Sequence, residues 1–298
     1  MYVSMRGSKN YLLLCAEIAT MDGSIDTNRP MMKPLAFFDQ HPIFTHREFA
    51  LAHSGGGRRS SQTTNNILAQ HVAGGRLLRV HRGLYATVPP GVNPKSFEPD
   101  PYLIATQAAD DAIVAYHAAL QFHGKAYSVS SRFTYLTRHR LRSFEFRGAE
   151  LVPVLLPATL RASRRPAGGL LEQRHAGGFV RVTTLERTLV DVLDAPEQGG
   201  GWEEIWRSLE SVEFFDLDVV IDYALKLGSA LTVARVGFYL EQHREQLMVE
   251  DRHLKALRAR APAQPRYFDR ERGPGKFVRP WNLVVPEQVL SRSWAEVP

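Results

Sequence analysis

The chain has 298 residues, 44% hydrophobic and 23% charged, a balance that excludes disordered and fibrous classes and allows about two globular domains. Its single cysteine, Cys15, excludes an internal disulfide framework and a multi-cysteine zinc site, and fits a reducing compartment. The formal net charge is +6 and unevenly spread: residues 33–90 carry seven Lys/Arg against two acids, residues 185–257 seven against fifteen, so a basic head that suits a polyanion precedes an acidic late segment.

Residues 1–32 show no periodicity that joins them to the rest of the chain and read as a dispensable extension or an upstream start. The apolar run Tyr11 to Ala16 ends at Glu17 after six residues, too short for a signal peptide. No stretch approaches the roughly 20 apolar residues of a membrane span. The expectation is a cytoplasmic protein with no membrane partner.

From Lys33 the pattern becomes orderly. Pro34 to Phe38 is a short apolar helix, and Thr45-His46-Arg47-Glu48 has the form of a capping box, so a helix should start at Thr45 and stop at Ser54 to Gly57. A second helix runs from about Ser61 to Val72, with Ile67 and Leu68 inward and Gln62, Thr63, Thr64, Asn65, Asn66 and Gln70 outward. Leu77 to His81 and Leu84 to Val88 flank Arg82-Gly83 and predict a β-hairpin with a tight turn. Helix, helix, hairpin is the winged-helix order, and it sets a DNA-binding unit at residues 33–92. Pro89 to Pro94 reads as a linker, which predicts two separable units.

Residues 93–298 predict a larger mixed α/β domain, giving an α+β class overall. Pro101 to Ala109 and Ile113 to Phe122 read as helices, and Phe133 to Thr137, Ser143 to Phe146, Glu150 to Leu156 and Phe179 to Val182 as strands. Thr183 and Glu186 form a second capping box opening a helix with Leu185, Leu189, Val192 and Leu193 on its apolar face. Helices over Trp202 to Val212, Leu217 to Leu227 and Thr232 to His243 come next, the middle one capped by Gly228, and Trp281 to Pro286 reads as a final strand.

The chemistry concentrates in residues 58–88. Reading the major groove takes side chains that donate and accept at once, and Gln62, Asn65 and Asn66 with Thr63 supply them. Arg58, Arg59 and Ser61 before and at the start of that helix, with Arg76, Arg79, His81 and Arg82 around the hairpin, are placed for phosphates. A secondary basic surface, Arg138, Arg140 and Arg142 with Arg161, Arg164 and Arg165, is either a solvated loop or an extension of the nucleic-acid contact.

The run Gly75-Arg76-Leu77-Leu78-Arg79-Val80-His81-Arg82-Gly83-Leu84-Tyr85 resembles the wing signature of the AbiEi-type antitoxin family. Ala118 to Gly124 and Val182 to Asp191 resemble two further motifs of that family, so the likeness covers about residues 36–286. It implies an autorepressor that binds inverted repeats in its own promoter as double-stranded DNA. It also implies an AbiEi-like domain over 93–298 carrying antitoxicity against a nucleotidyltransferase-like toxin, without a stable complex.

Signatures of enzymes are missing from the sequence. Asp216-Leu217-Asp218 precedes Gly228-Ser229, the reverse of nucleotidyltransferase order, and no lysine has an acid two residues before it as a PD-(D/E)xK nuclease requires. The glycine clusters 55–57 and 199–201 lack the lysine and hydroxyl of a phosphate loop. Asp191 is expected to pair with Arg187, and His117 and His123 to be packed helix histidines. No catalytic residue, metal or cofactor is therefore expected; the rival classes are a nuclease-like enzyme and a plain winged-helix repressor with a ligand-sensing second domain.

Overall fold

A computed structural model describes residues 32–54, 61–161 and 168–294. Cys15, the glycines at 55–57, and Arg58, Arg59, Arg164 and Arg165 lie outside the described residues. The fold is mixed α+β, with three sheets.

The N-terminal unit begins with α1 (Pro34–Gln40), β1 (Ile43–Thr45) and α2 (His46–Ser54). It continues with α3 (Ser61–Ala73), β2 (Leu77–His81) and β3 (Leu84–Thr87), and the three strands pair in the order β1-β3-β2. The predicted capping box is present: Thr45 N donates to Glu48 Oε2 at 2.6 Å and Glu48 N to Thr45 Oγ1 at 3.2 Å. Strand β1 is an addition to the predicted order. Met32, assigned by sequence to the extension, donates its backbone N–H to Ala52 O at 3.2 Å.

The small sheet is covered on both faces, which is why all four β3 residues are buried instead of alternating. On one face an aromatic cluster of Phe37, Phe38, Phe44, Phe49 and Tyr85 joins Leu68 and Leu77. Phe37 meets Phe44 edge-on at 5.1 Å and Phe44 stacks on Tyr85 at 5.8 Å; such pairs add about 0.5–1.5 kcal/mol to plain burial. On the other face Ile43, Val80, Leu84 and Ala86 share one apolar cluster with Leu103 and Ile104 of α4 (Pro101–Gln107).

Helix α4 lies between this sheet and a six-stranded one built from β4 (Ile113–Val114), β5 (Arg132–Thr137), β6 (Phe144–Phe146), β7 (Ala149–Leu155), β8 (Leu170–His175) and β9 (Gly178–Thr183). Its order is β6-β7-β5-β4-β9-β8, with β5 parallel to β7 and β4 parallel to β9. Phe133, Tyr135, Val180 and Val182 face α4 and the winged unit. The opposite face meets helices α5 (His117–Phe122), α7 (Leu185–Asp194), α8 (Trp202–Glu210), α9 (Leu217–Leu227), α10 (Ala230–Gln242) and α11 (Asp251–Arg258) in the largest core. Short α6 (Ala158–Arg161) precedes β8. Strands β10 (Arg266–Tyr267), β11 (Gly275–Val278) and β12 (Leu283–Pro286) form the third sheet, before α12 (Glu287–Ser291).

Three expectations change. Ile113 to Phe122 is not one helix: Ile113–Val114 pairs into the sheet, and α5 starts only after Tyr116, whose φ of 58° breaks the helical path. The cap of α7 is Thr184, which accepts from Arg187 N at 3.4 Å. Thr183 bonds Thr188 at 2.7 Å, so Glu186 falls one position short of a capping box. Finally, Pro89 to Pro94 is no free tether. Arg147 donates to Pro94 O at 2.6 Å and also to Phe97 O, and the cluster around Ile43 and Leu103 bridges the two units.

Within α7, Arg187 Nε meets Asp191 Oδ2 at 3.2 Å with both side chains buried, and Tyr223 donates to Asp191 Oδ1 at 2.7 Å. Burial raises the Asp191 carboxyl above its ordinary range, against the pull of Arg187 and Tyr223. The expected ion pair is present. His117 and His123 are packed as expected but diverge, to Glu204 at 3.1 Å and to Thr183 O at 2.7 Å. Helix α9 ends at Gly228 in the left-handed conformation.

Candidate nucleic-acid interface

Helix α3 is the second helix of the helix-turn-helix, and its period fixes what it shows. Leu68 is buried and Ile67 packs against the same aromatic cluster, so the opposite side carries Ser61, Gln62, Thr63, Asn65, Asn66 and Gln70, all exposed. Thr64, expected outward, is buried one turn before Leu68.

The exposed amides are held by hydrogen bonds. Gln62 Nε2 donates to Asn66 Oδ1 at 3.1 Å across one turn. His46 Nε2 lies 2.8 Å from Asn65 Oδ1; a carbonyl oxygen only accepts, so the histidine donates and the Asn65 amide nitrogen is left with its hydrogens for another acceptor. His46 is a residue that sequence reading passed over. The neighbouring Arg47 is also new to the site; it pairs with exposed Asp110 at 3.4 Å, a contact worth little in water.

In β2, Leu77 joins the aromatic cluster beneath α3, while Leu78 and Val80 pack toward α4. Strand alternation therefore places Arg79 on the side of α3. It opposes Tyr85 across the strand pair and is exposed. Arg82, also exposed, occupies the turn with Gly83, whose φ of 76° suits a residue without Cβ. Among the described residues neither arginine bonds another protein group.

The other wing residues are already engaged. Arg76 Nη2 donates to Asp39 Oδ1 at 2.6 Å, which ties β2 to the C-terminal end of α1. His81 stacks on Phe144 of β6 with ring centroids 4.4 Å apart, fastening the wing to the larger sheet. In the secondary basic surface, Arg138 donates to Arg161 O at 2.9 Å. Arg140 and Arg142 are exposed in the loop leading to Phe144, so the His81 stack brings that loop beside the wing. The structure thus gathers Gln62, Thr63, Asn65, Asn66 and Ser61 on one helix face with Arg79 on the same side of the sheet, whereas Arg76 and His81 serve internal joints.

No helix of the described residues is long and apolar enough to cross a membrane. Among them no group of three or more His, Cys, Asp or Glu is placed to hold a metal ion.

No family model and no curated protein matches the chain. Among solved structures it is similar to the RV2827C protein from Mycobacterium tuberculosis, with a TM-score of 0.52 and 18% identity over 89% of this chain and 96% of that one. At that identity the likeness is one of fold, and it extends across the winged unit and the larger domain together.

Proposed function

We propose that this chain is a winged-helix DNA-binding autorepressor and the antitoxin of an AbiEi-type toxin-antitoxin system. The observation that carries DNA binding is the exposed amide face of α3, with Asn65 oriented by His46 and Arg79 on the same side. Amides that donate and accept in one plane suit base edges, and free guanidinium groups beside them suit the backbone. The antitoxin half of the reading rests on the resemblance carried by the Gly75 to Tyr85 wing run and the Val182 to Asp191 run at α7. It implies a nucleotidyltransferase-like toxin as functional partner, countered without a stable complex. The reading assigns no catalytic residue and no cofactor.

The test pairs a gel shift on the native promoter with a growth assay in which the chain is co-expressed with its neighbouring gene. A specific shift together with rescue supports the reading; failure to bind the promoter in preference to scrambled DNA overturns it. A shift without rescue selects a plain repressor with a ligand-sensing second domain, a reading favoured by the polar cavity at His117 and Glu204.

A further inference from the structure

The cavity at His117 and Glu204, of about 170 Å³, opens in the larger domain between β5, the start of α5 and the start of α8. At roughly 30 Å³ per water it has room for about six waters, or a ligand of about six non-hydrogen atoms. Its floor is His117, Thr134 and Glu204, only 6%, 2% and 8% exposed. Gly200 keeps it open: with φ at +90°, a Cβ there would press into the Glu204 side chain and come within 3.5 Å of the His117 ring.

The floor is short of donors. Glu204 Oε1 takes hydrogen bonds from His117 Nε2 at 3.1 Å, Ser128 N at 3.0 Å and Ser208 Oγ at 3.0 Å, and the Ser128 side chain bonds this carboxylate as well; with two lone pairs on each oxygen, Oε2 keeps accepting capacity toward the cavity. Burial pushes this carboxyl up, but the bonds from Ser128 and Ser208 more than reverse that and hold it below the ordinary glutamate range. In the tautomer that gives its Nε2–H to Glu204, His117 presents Nδ1 as an acceptor. That atom and Gln198 Oε1 are both buried without a partner among the described residues. Buried polar atoms are nearly always partnered, and here two orphans line one cavity.

The rim is different. Arg132 has Glu150 as its nearest carboxylate, at 4.0 Å, and Ser130 Oγ accepts from Arg132 N at 3.1 Å, leaving its own proton to give. Three acceptors below and, above, a guanidinium with a hydroxyl, beside a Glu197 already paired with Arg270 at 3.5 Å, match a molecule cationic at one end and anionic at the other.

We propose that this cavity binds a small zwitterion of the α-amino-acid class, its ammonium on Glu204 Oε2, His117 Nδ1 and Gln198 Oε1, its carboxylate on Arg132 and Ser130. An ammonium has three N–H donors for three acceptors, and an arginine-carboxylate contact gives the other end its direction. The site is independent of the DNA-binding reading, since no residue of α3 or the wing takes part.

The full chain is titrated with each common L-amino acid at millimolar concentration, with thermal unfolding and calorimetry as readouts. At least one should raise Tm with concentration, and Arg132→Ala, a change on the exposed rim, should weaken its binding about tenfold. Gln198→Ala should weaken it as well, at unchanged unliganded Tm. The proposal is overturned if no amino acid shifts Tm or gives heat. It is equally overturned if both variants bind like wild type, or if the decarboxylated amine binds as tightly as its parent amino acid.

Discussion

Helices α3 and α7 both carry dense polar side chains and use them in opposite ways. On α7, Arg187 and Asp191 are buried and paired with each other and, through Asp191, with Tyr223, while buried Thr188 bonds Thr183. On α3, Gln62, Asn65 and Asn66 are exposed and, among the described residues, tied only by single hydrogen bonds to each other or to His46. A buried polar group without its partner costs its full desolvation, whereas an exposed one exchanges its partner for water or a ligand at little cost. The same residue classes therefore serve cohesion in one place and recognition in the other, and mutations at the two helices should separate along that line.

The largest effect belongs to α7. Asp191→Ala leaves the Arg187 guanidinium buried and unpaired and takes the acceptor from Tyr223, so denaturant unfolding should show a loss of about 3–5 kcal/mol. Replacing both members, Arg187→Met with Asp191→Leu, should recover most of it. A small loss in the single variant would mean that the pair is not closed to water.

The joint between the two units ranks second. Leu103, 3% exposed, packs in the cluster that contains Ile43 and Leu84 of the small sheet. Leu103→Ala should cost about 2–5 kcal/mol and lower the protection of amides in β1 and β3 along with those of β5. Hydrogen exchange decides this: wild-type protection in the winged unit would mean that the two units unfold apart.

How much of this the sequence disclosed depends on the separation of the partners. The Thr45-Glu48 box was readable because both bonds close within three residues. At α7 two adjacent threonines offered two registers, and the choice fell to Thr188, whose hydroxyl takes Thr183 and leaves Thr184 as the cap. Strand β1 is three residues long and exists through its pairing with β3 some forty positions on, so no periodicity announces it. The same holds at the candidate interface. The exposed amides of α3 are legible from helical period, but His46 reaches Asn65 across nineteen positions, and the engagement of His81 with Phe144 needed the tertiary fold. The pairing of His117 with Glu204, eighty-seven positions apart, left no local trace at all.

On α3 the expected changes are smaller and confined to function. Asn65→Ala or Gln62→Ala should lose roughly 1–3 kcal/mol on the cognate promoter and little on random DNA, with thermal stability unaltered because both side chains are exposed. His46→Ala should weaken cognate binding less than Asn65→Ala, since it only orients the amide. Equal losses on cognate and random DNA would make these residues positioning groups and bring α3 closer in behaviour to the wing.

The smallest effect per residue is electrostatic and lies in the wing. Arg79 and Arg82 have no protein partner among the described residues, so any phosphate they neutralise releases counterions, and log K should fall less steeply with log salt once they are gone. Arg79→Ala with Arg82→Ala should flatten that slope by about one unit per lost contact, equally on cognate and random DNA. Arg76→Ala is the internal contrast: its guanidinium is held by Asp39 at 2.6 Å, so it should cost fold stability and move the slope little. Arg140→Ala and Arg142→Ala extend the measurement to the loop beside Phe144. If they flatten the slope too, the footprint continues past the His81 stack into the larger domain; if only the wing variants do, DNA contact stops at the hairpin. An unchanged slope in the Arg79, Arg82 double variant would remove the wing from the interface and leave α3 to bind alone.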